Sequence, residues 1–146
     1  MVAEADAAIL MIEDNPDHAE LALRALKVHK LANRVLVLGD GAQALDYPFS
    51  NGEYASRLAG NPKVVLLDLN LPKVHGLEVL RRMKADERMK MIPVVVLTSS
   101  KEESDRIDSY RLGVNSYIVK PLDFAQFVKS VGDIGLYWLL LNEPPE

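Results

Sequence analysis

The chain is predicted to fold as an α/β sandwich around a parallel sheet. Two features lead there. Five short apolar runs alternate with stretches of helical periodicity, and the runs stop in turns or in polar, chemically capable residues. Such alternation in one small chain is the pattern of parallel strands joined by right-handed crossovers. The run Val64-Val65-Leu66-Leu67 is the most informative. It is apolar without a break, as a strand covered on both faces must be, and it leads straight into Asp68.

Each element follows in order. Ala8-Ile9-Leu10-Met11-Ile12 reads as a first buried strand ending in Glu13-Asp14. Asn15-Pro16-Asp17 supplies a cap, a first-turn proline and a first-turn acid, and Leu21, Ala22, Ala25 and Leu26 recur at helical spacing behind them. Val35-Leu36-Val37-Leu38 is the second strand, stopped by Gly39-Asp40-Gly41. A short helix through Ala42, Ala44 and Leu45 follows, limited by Pro48, with a turn expected at Ser50-Asn51-Gly52-Glu53. After the central strand, a loop from Leu69 to His75 precedes a helix that starts near Gly76. That helix places Leu77, Leu80 and Met83 on one face and Arg81, Arg82 and Lys84 on the other. Asp86-Glu87-Arg88-Met89-Lys90 reads as a polar connection to the fourth strand, Ile92 to Thr98. Glu102 to Leu112 is expected to be an exposed, charge-rich helix closed by Gly113. Ser116 to Lys120 is the fifth strand. The last helix begins near Asp123 and is expected to run toward Leu141, before Pro144-Pro145.

Composition narrows the function. A chain of 146 residues with 49% hydrophobic and 26% charged content suits one globular domain spanning residues 1–146. A net charge of -4 offers no electrostatic reason to expect nucleic acid as a partner. The absence of cysteine excludes disulfides, thiolate metal sites and cysteine nucleophiles. No signal peptide or membrane-length apolar run is present, so a soluble, cytoplasmic protein is expected.

A parallel sheet gathers the carboxyl ends of its strands on one edge, where open α/β sheets bind ligands. Glu13, Asp14, Asp68, Thr98 and Lys120 should therefore converge. Three carboxylates at close range repel one another unless a cation intervenes, and oxygen donors without histidine or cysteine suit Mg²⁺. Asp68 is placed to attack a phosphoryl group as a carboxylate nucleophile. Lys120 would balance the charge of the transition state, and Thr98 would hydrogen-bond the product.

Glu13-Asp14, Asp68 within Leu67-Asp68-Leu69-Asn70-Leu71-Pro72, Gly76, Thr98-Ser99 and Lys120-Pro121 resemble the signature of the receiver domain of two-component response regulators. The resemblance covers almost the whole chain. It implies a flavodoxin-like (βα)5 sandwich with strand order 2-1-3-4-5 and phosphotransfer from a histidine kinase to Asp68. It also implies Mg²⁺ held by Asp14, Asp68 and the backbone carbonyl of Asn70, with Glu13 acting through water. Thr98 and Tyr117 are implied as the switch that remodels the fourth helix, fifth strand and fifth helix, and the Lys120-Pro121 bond is implied to be cis. The stretches Leu69 to Val74, Gly113 to Pro121 and Leu136 to Pro145 are similar to the stand-alone regulators that serve bacterial phytochromes. A bacteriophytochrome kinase is the partner this implies. His75 stands where that pattern leads us to expect an acidic residue.

The run Leu136 to Leu141 cannot turn every side chain toward one core, and exposed apolar patches mark interfaces. Residues of about 123–146 are therefore expected to form a homodimerisation element. Other readings fit less well. A phosphatase of the haloacid dehalogenase type needs a second acid two residues after its nucleophile, where this chain has Asn70. A nucleotide-binding module lacks its Gly-rich loop after the first strand. A degenerate receiver acting only as an interaction module would require a broken site, and none of the expected residues is missing.

Overall fold

The computed structural model describes residues 9–30, 35–42, 62–87, 89–99, 102–120 and 123–134. Five strands carry the fold: β1 (Ile9–Ile12), β2 (Val35–Leu38), β3 (Val64–Leu67), β4 (Val94–Thr98) and β5 (Ser116–Val119). They form one parallel sheet of order β2-β1-β3-β4-β5. Four helices are described: α1 (Pro16–Val28), α2 (Gly76–Ala85), α3 (Glu103–Arg111) and α4 (Phe124–Ile134). Of the short helix expected after β2, only its helical start at Gly41 and Ala42 is described. The turn at 50–53, Pro121 and the tail beyond residue 134 lie outside the described residues.

Side chains alternate across a strand, so each strand feeds both faces of the sheet. Ile9, Met11, Val64, Leu66, Val95 and Leu97 join Ala22, Ala25 and Leu26 of α1 and Phe127 and Val131 of α4 in one core. Leu10, Ile12, Val65, Leu67, Val94 and Val96 join Val79, Leu80 and Met83 of α2 in the other. β1, β3 and β4 are buried along their whole length, which is why they read as unbroken apolar runs.

The helix ends are written in local hydrogen bonds. Asn15 Oδ1 accepts from the N–H groups of Asp17 and His18, fixing the start of α1 with Pro16 in its first turn. Asp123 and Gln126 satisfy each other's main-chain N–H groups at 3.2 and 2.7 Å, a capping box at the head of α4. Gly113 closes α3 at φ +96°, a conformation that costs a glycine least.

Two features of the segment between α2 and β4 depart from the sequence reading. β4 begins at Val94 rather than Ile92, because Pro93 has no N–H to give to the ladder. The connection at 86–90 is polar except for Met89, which is fully buried in the core beneath α2.

Candidate functional site

The register aligns the carboxyl ends of the strands. Ile12 pairs with both Leu38 and Leu67, and Thr98 pairs with Val119. The residues that follow leave the sheet together. Glu13 N–H continues the ladder to Leu38 O at 2.9 Å, Asp68 N–H to Ile12 O at 3.0 Å, and Lys120 N–H to Thr98 O at 2.7 Å. Main-chain bonds thus hold three ionisable residues at one edge before any side chain acts.

Their side chains meet there. Glu13, Asp68 and Lys120 are 7, 6 and 7% exposed, whereas Asp14 is open to solvent. The Lys120 ammonium donates to Glu13 Oε1, lies 3.0 Å from His18 Nδ1, and stands 3.5 Å from Asp68 Oδ2. Asp68 Oδ1 accepts from Asn70 N–H at 3.1 Å, and Glu13 Oε2 from Asn15 N–H at 3.2 Å. One oxygen each of Glu13, Asp14 and Asp68 lies within 4.8 Å of the other two. Burial, reinforced by the Asp68 charge and opposed by Lys120 and the Asn15 N–H, pushes the Glu13 carboxyl up to about 7.

That donor set fits a hard divalent cation. It offers carboxylate oxygens from three residues, one of them open to solvent, and among the described residues the one ammonium that meets them, Lys120, leaves the cluster with excess negative charge. Such ions prefer oxygen ligands and keep some of their water, which an exposed Asp14 allows.

The loop after Asp68 is built tightly. Gly76 N–H donates to Leu69 O at 2.8 Å, and Leu69 is buried in the core below. The Asn70 amide donates to Ser99 Oγ at 3.1 Å, joining the loops after β3 and β4. Lys73, at φ +69°, pairs with Asp40 at 3.2 Å. His75 caps α2 through Nδ1, which accepts from Leu77 N–H at 3.1 Å. An aspartate at that position would offer the same kind of acceptor, so His75 keeps the cap and removes a charge.

The structure brings Glu13, Asp14, Asp68 and Lys120 into one cluster. Thr98 is fully buried and meets the cluster through its carbonyl. Tyr117 is half-buried on β5 opposite Val96, against the α2-side core. The residue that sequence reasoning missed is His18. Its only signal is position: the third residue after an N-cap that directly follows the acidic pair of β1.

Residues 9–132 match the model of the response regulator receiver domain. Among curated proteins, the probable methanogenesis regulatory protein FilR2 of Methanothrix harundinacea is 44% identical over 137 residues, covering 94% of this chain and 86% of that protein. Response regulator Rcp1 of Synechocystis sp. is 40% identical over 131 residues, covering 90% and 88%. Among solved structures, bacteriophytochrome response regulator RtBRR is 55% identical with a TM-score of 0.77, covering 94% of this chain and 82% of that one. The phosphorylated cyanobacterial phytochrome response regulator RcpA is 40% identical with a TM-score of 0.81, covering 94% and 97%. The Mn²⁺-bound form of Rcp1 is 38% identical with a TM-score of 0.81, covering 94% and 98%.

Proposed function

The chain belongs to the response regulator receiver domain family, and from that premise we propose that it accepts a phosphoryl group on Asp68 from a sensor histidine kinase. Receiver domain response regulators are signalling proteins of the phosphorelay rather than turnover enzymes, and they bind divalent metal. The observation that carries the assignment is the buried Asp68 carboxylate, 3.5 Å from the Lys120 ammonium and clustered with Glu13 and Asp14.

In the proposed transfer, an Asp68 oxygen bonds to phosphorus while the bond from phosphorus to the kinase histidine nitrogen breaks, and that nitrogen keeps the electron pair. Lys120 balances charge on the phosphoryl oxygens, and the Thr98 hydroxyl accepts the role of product ligand and switch with Tyr117. Asp14, Asp68 and the Asn70 carbonyl would hold Mg²⁺, with Glu13 acting through water. Bound there, the ion would neutralise carboxylate charge and polarise the phosphoryl oxygens. The same residues would assist hydrolysis, in which water attacks phosphorus and the electron pair returns to Asp68.

The 55% identity to RtBRR supports a bacteriophytochrome as the kinase. A single receiver domain over residues 1–146, dimerising through 123–146 in the cytoplasm, completes the reading. The surface that answers to phosphorylation would be α3, β5 and α4.

The test is acetyl phosphate with Mg²⁺, read by intact mass on wild type and Asp68→Asn. The expected result is one phosphate adduct on wild type only, lost in chelator. A folded, Mg²⁺-binding wild type that takes no adduct overturns the assignment.

A further inference from the structure

We infer that His18 is a positioning residue for Lys120, setting where the ammonium stands relative to the phosphoryl group on Asp68. The inference rests on Asp68 being the phosphoacceptor.

Lys120 carries its charge on a flexible four-carbon stem, and two buried carboxylates compete for it. Glu13 takes the close contact, and Asp68 is left at 3.5 Å. An ammonium tied to Glu13 alone could pivot about that bond. The third contact, 3.0 Å to His18 Nδ1, comes from α1 and removes that freedom. An ammonium has no lone pair, so Nδ1 is the acceptor and the ring hydrogen sits on Nε2. The main chain that carries the imidazole is fixed in turn, because the His18 backbone N–H donates to Asn15 Oδ1 at 3.2 Å. Lys120 is thereby triangulated between Glu13 just after β1, His18 on α1 and Asp68 just after β3. A charge-stabilising group fixed in place before the reaction saves the ordering that a free one must undergo in the transition state.

His18 is exposed, and its main-chain bond to Asn15 survives substitution, so variants should fold. Asn is the conservative replacement, since its Oδ1 can stand where the imidazole Nδ1 stands. The full chain is compared as wild type, His18→Ala, His18→Asn and Asp68→Asn, with initial phosphorylation rates in acetyl phosphate at saturating Mg²⁺ and a separate Mg²⁺ titration. His18→Ala should slow phosphorylation about fivefold, and His18→Asn should come within about twofold of wild type. The Mg²⁺ half-saturation should stay within about twofold throughout, because His18 acts on the lysine and not on the metal ligands. The inference is overturned by a His18→Ala rate equal to or above wild type, by an Asn variant as slow as the Ala variant, or by a slow variant whose Mg²⁺ half-saturation moves in step. An inert wild type removes the phosphoacceptor reading itself, and the inference with it. An active wild type beside an unaffected His18→Ala removes the inference alone.

Discussion

Gly76 stands where no side chain has room. A Cβ there would lie 2.5 Å from the Asp68 carbonyl oxygen and 2.5 Å from Leu69 Cα. The obstruction is the backbone of the loop that leaves Asp68, which cannot swing aside as a side-chain tip would. Gly76→Ala is expected to cost about 2 kcal/mol or more in stability and to weaken Mg²⁺ binding with it. Urea denaturation and a Mg²⁺ titration read the two effects, and an unchanged midpoint would contradict the geometry. At this scale the sequence was legible where the contact is local or the residue type is chemically loud. Asp68, Lys120 and the Asn15 cap all announce themselves. His18 did not, because its contact to Lys120 spans 102 residues and forms only once α1 has docked beside β5's exit.

Between elements, α2 is pinned to the segment before β4 by a half-buried cation. Lys84 Nζ donates to the carbonyls of Lys90 at 3.2 Å and Ile92 at 3.1 Å. Burial lowers the pKa of this lysine. A base whose pKa is lowered on folding binds its proton more tightly in the unfolded chain. Stability therefore rises with pH between the lowered value and the ordinary lysine value of about 10.4. A neutral amine can still donate to both carbonyls, so the anchor persists. Relative to Lys84→Met, wild type should gain stability between pH 7.5 and about 10, measured as the difference in urea midpoints. A difference that is flat or shrinks would count against it. The basic run Arg81, Arg82 and Lys84 reads in sequence as one solvated face. Arg81 and Arg82 do pair outward with Glu78, while Lys84 turns in. Helical spacing alone does not distinguish the last turn from its neighbours. Met89 was hidden for the same kind of reason, a single buried anchor inside a polar connection.

For the molecule as a whole, the site is a seam across β1, α1, β3 and β5, so it exists only when the sheet is assembled. A cation bound there stabilises the folded state as a unit. Mg²⁺ at one hundredfold its dissociation constant should add about 2.7 kcal/mol to unfolding. The gain should vanish in chelator and fall sharply in Asp14→Asn, whose side chain is exposed and carries no core packing. Thermal melts with and without Mg²⁺ measure it, and an equal gain in that variant would move the ion elsewhere. Strand content and the alternation with helices were legible because five apolar runs are distinct. The spatial order β2-β1-β3-β4-β5 was not contained in that alternation. It came with the resemblance, and the paired register of Ile12 with Leu38 and Leu67 now accounts for it.

Both cores close without α3. Ser109 is its single buried residue, with a hydroxyl that finds no hydrogen-bond partner among the described residues, and neither apolar cluster draws a buried member from the helix. Its outer positions, Ile107 and Tyr110 included, can consequently drift in sequence at little expense to folding. A lineage that duplicates such a gene can rewrite the outside of this one helix while the acidic edge and the sheet stay as inherited, so change on that face and preservation of the edge need not compete.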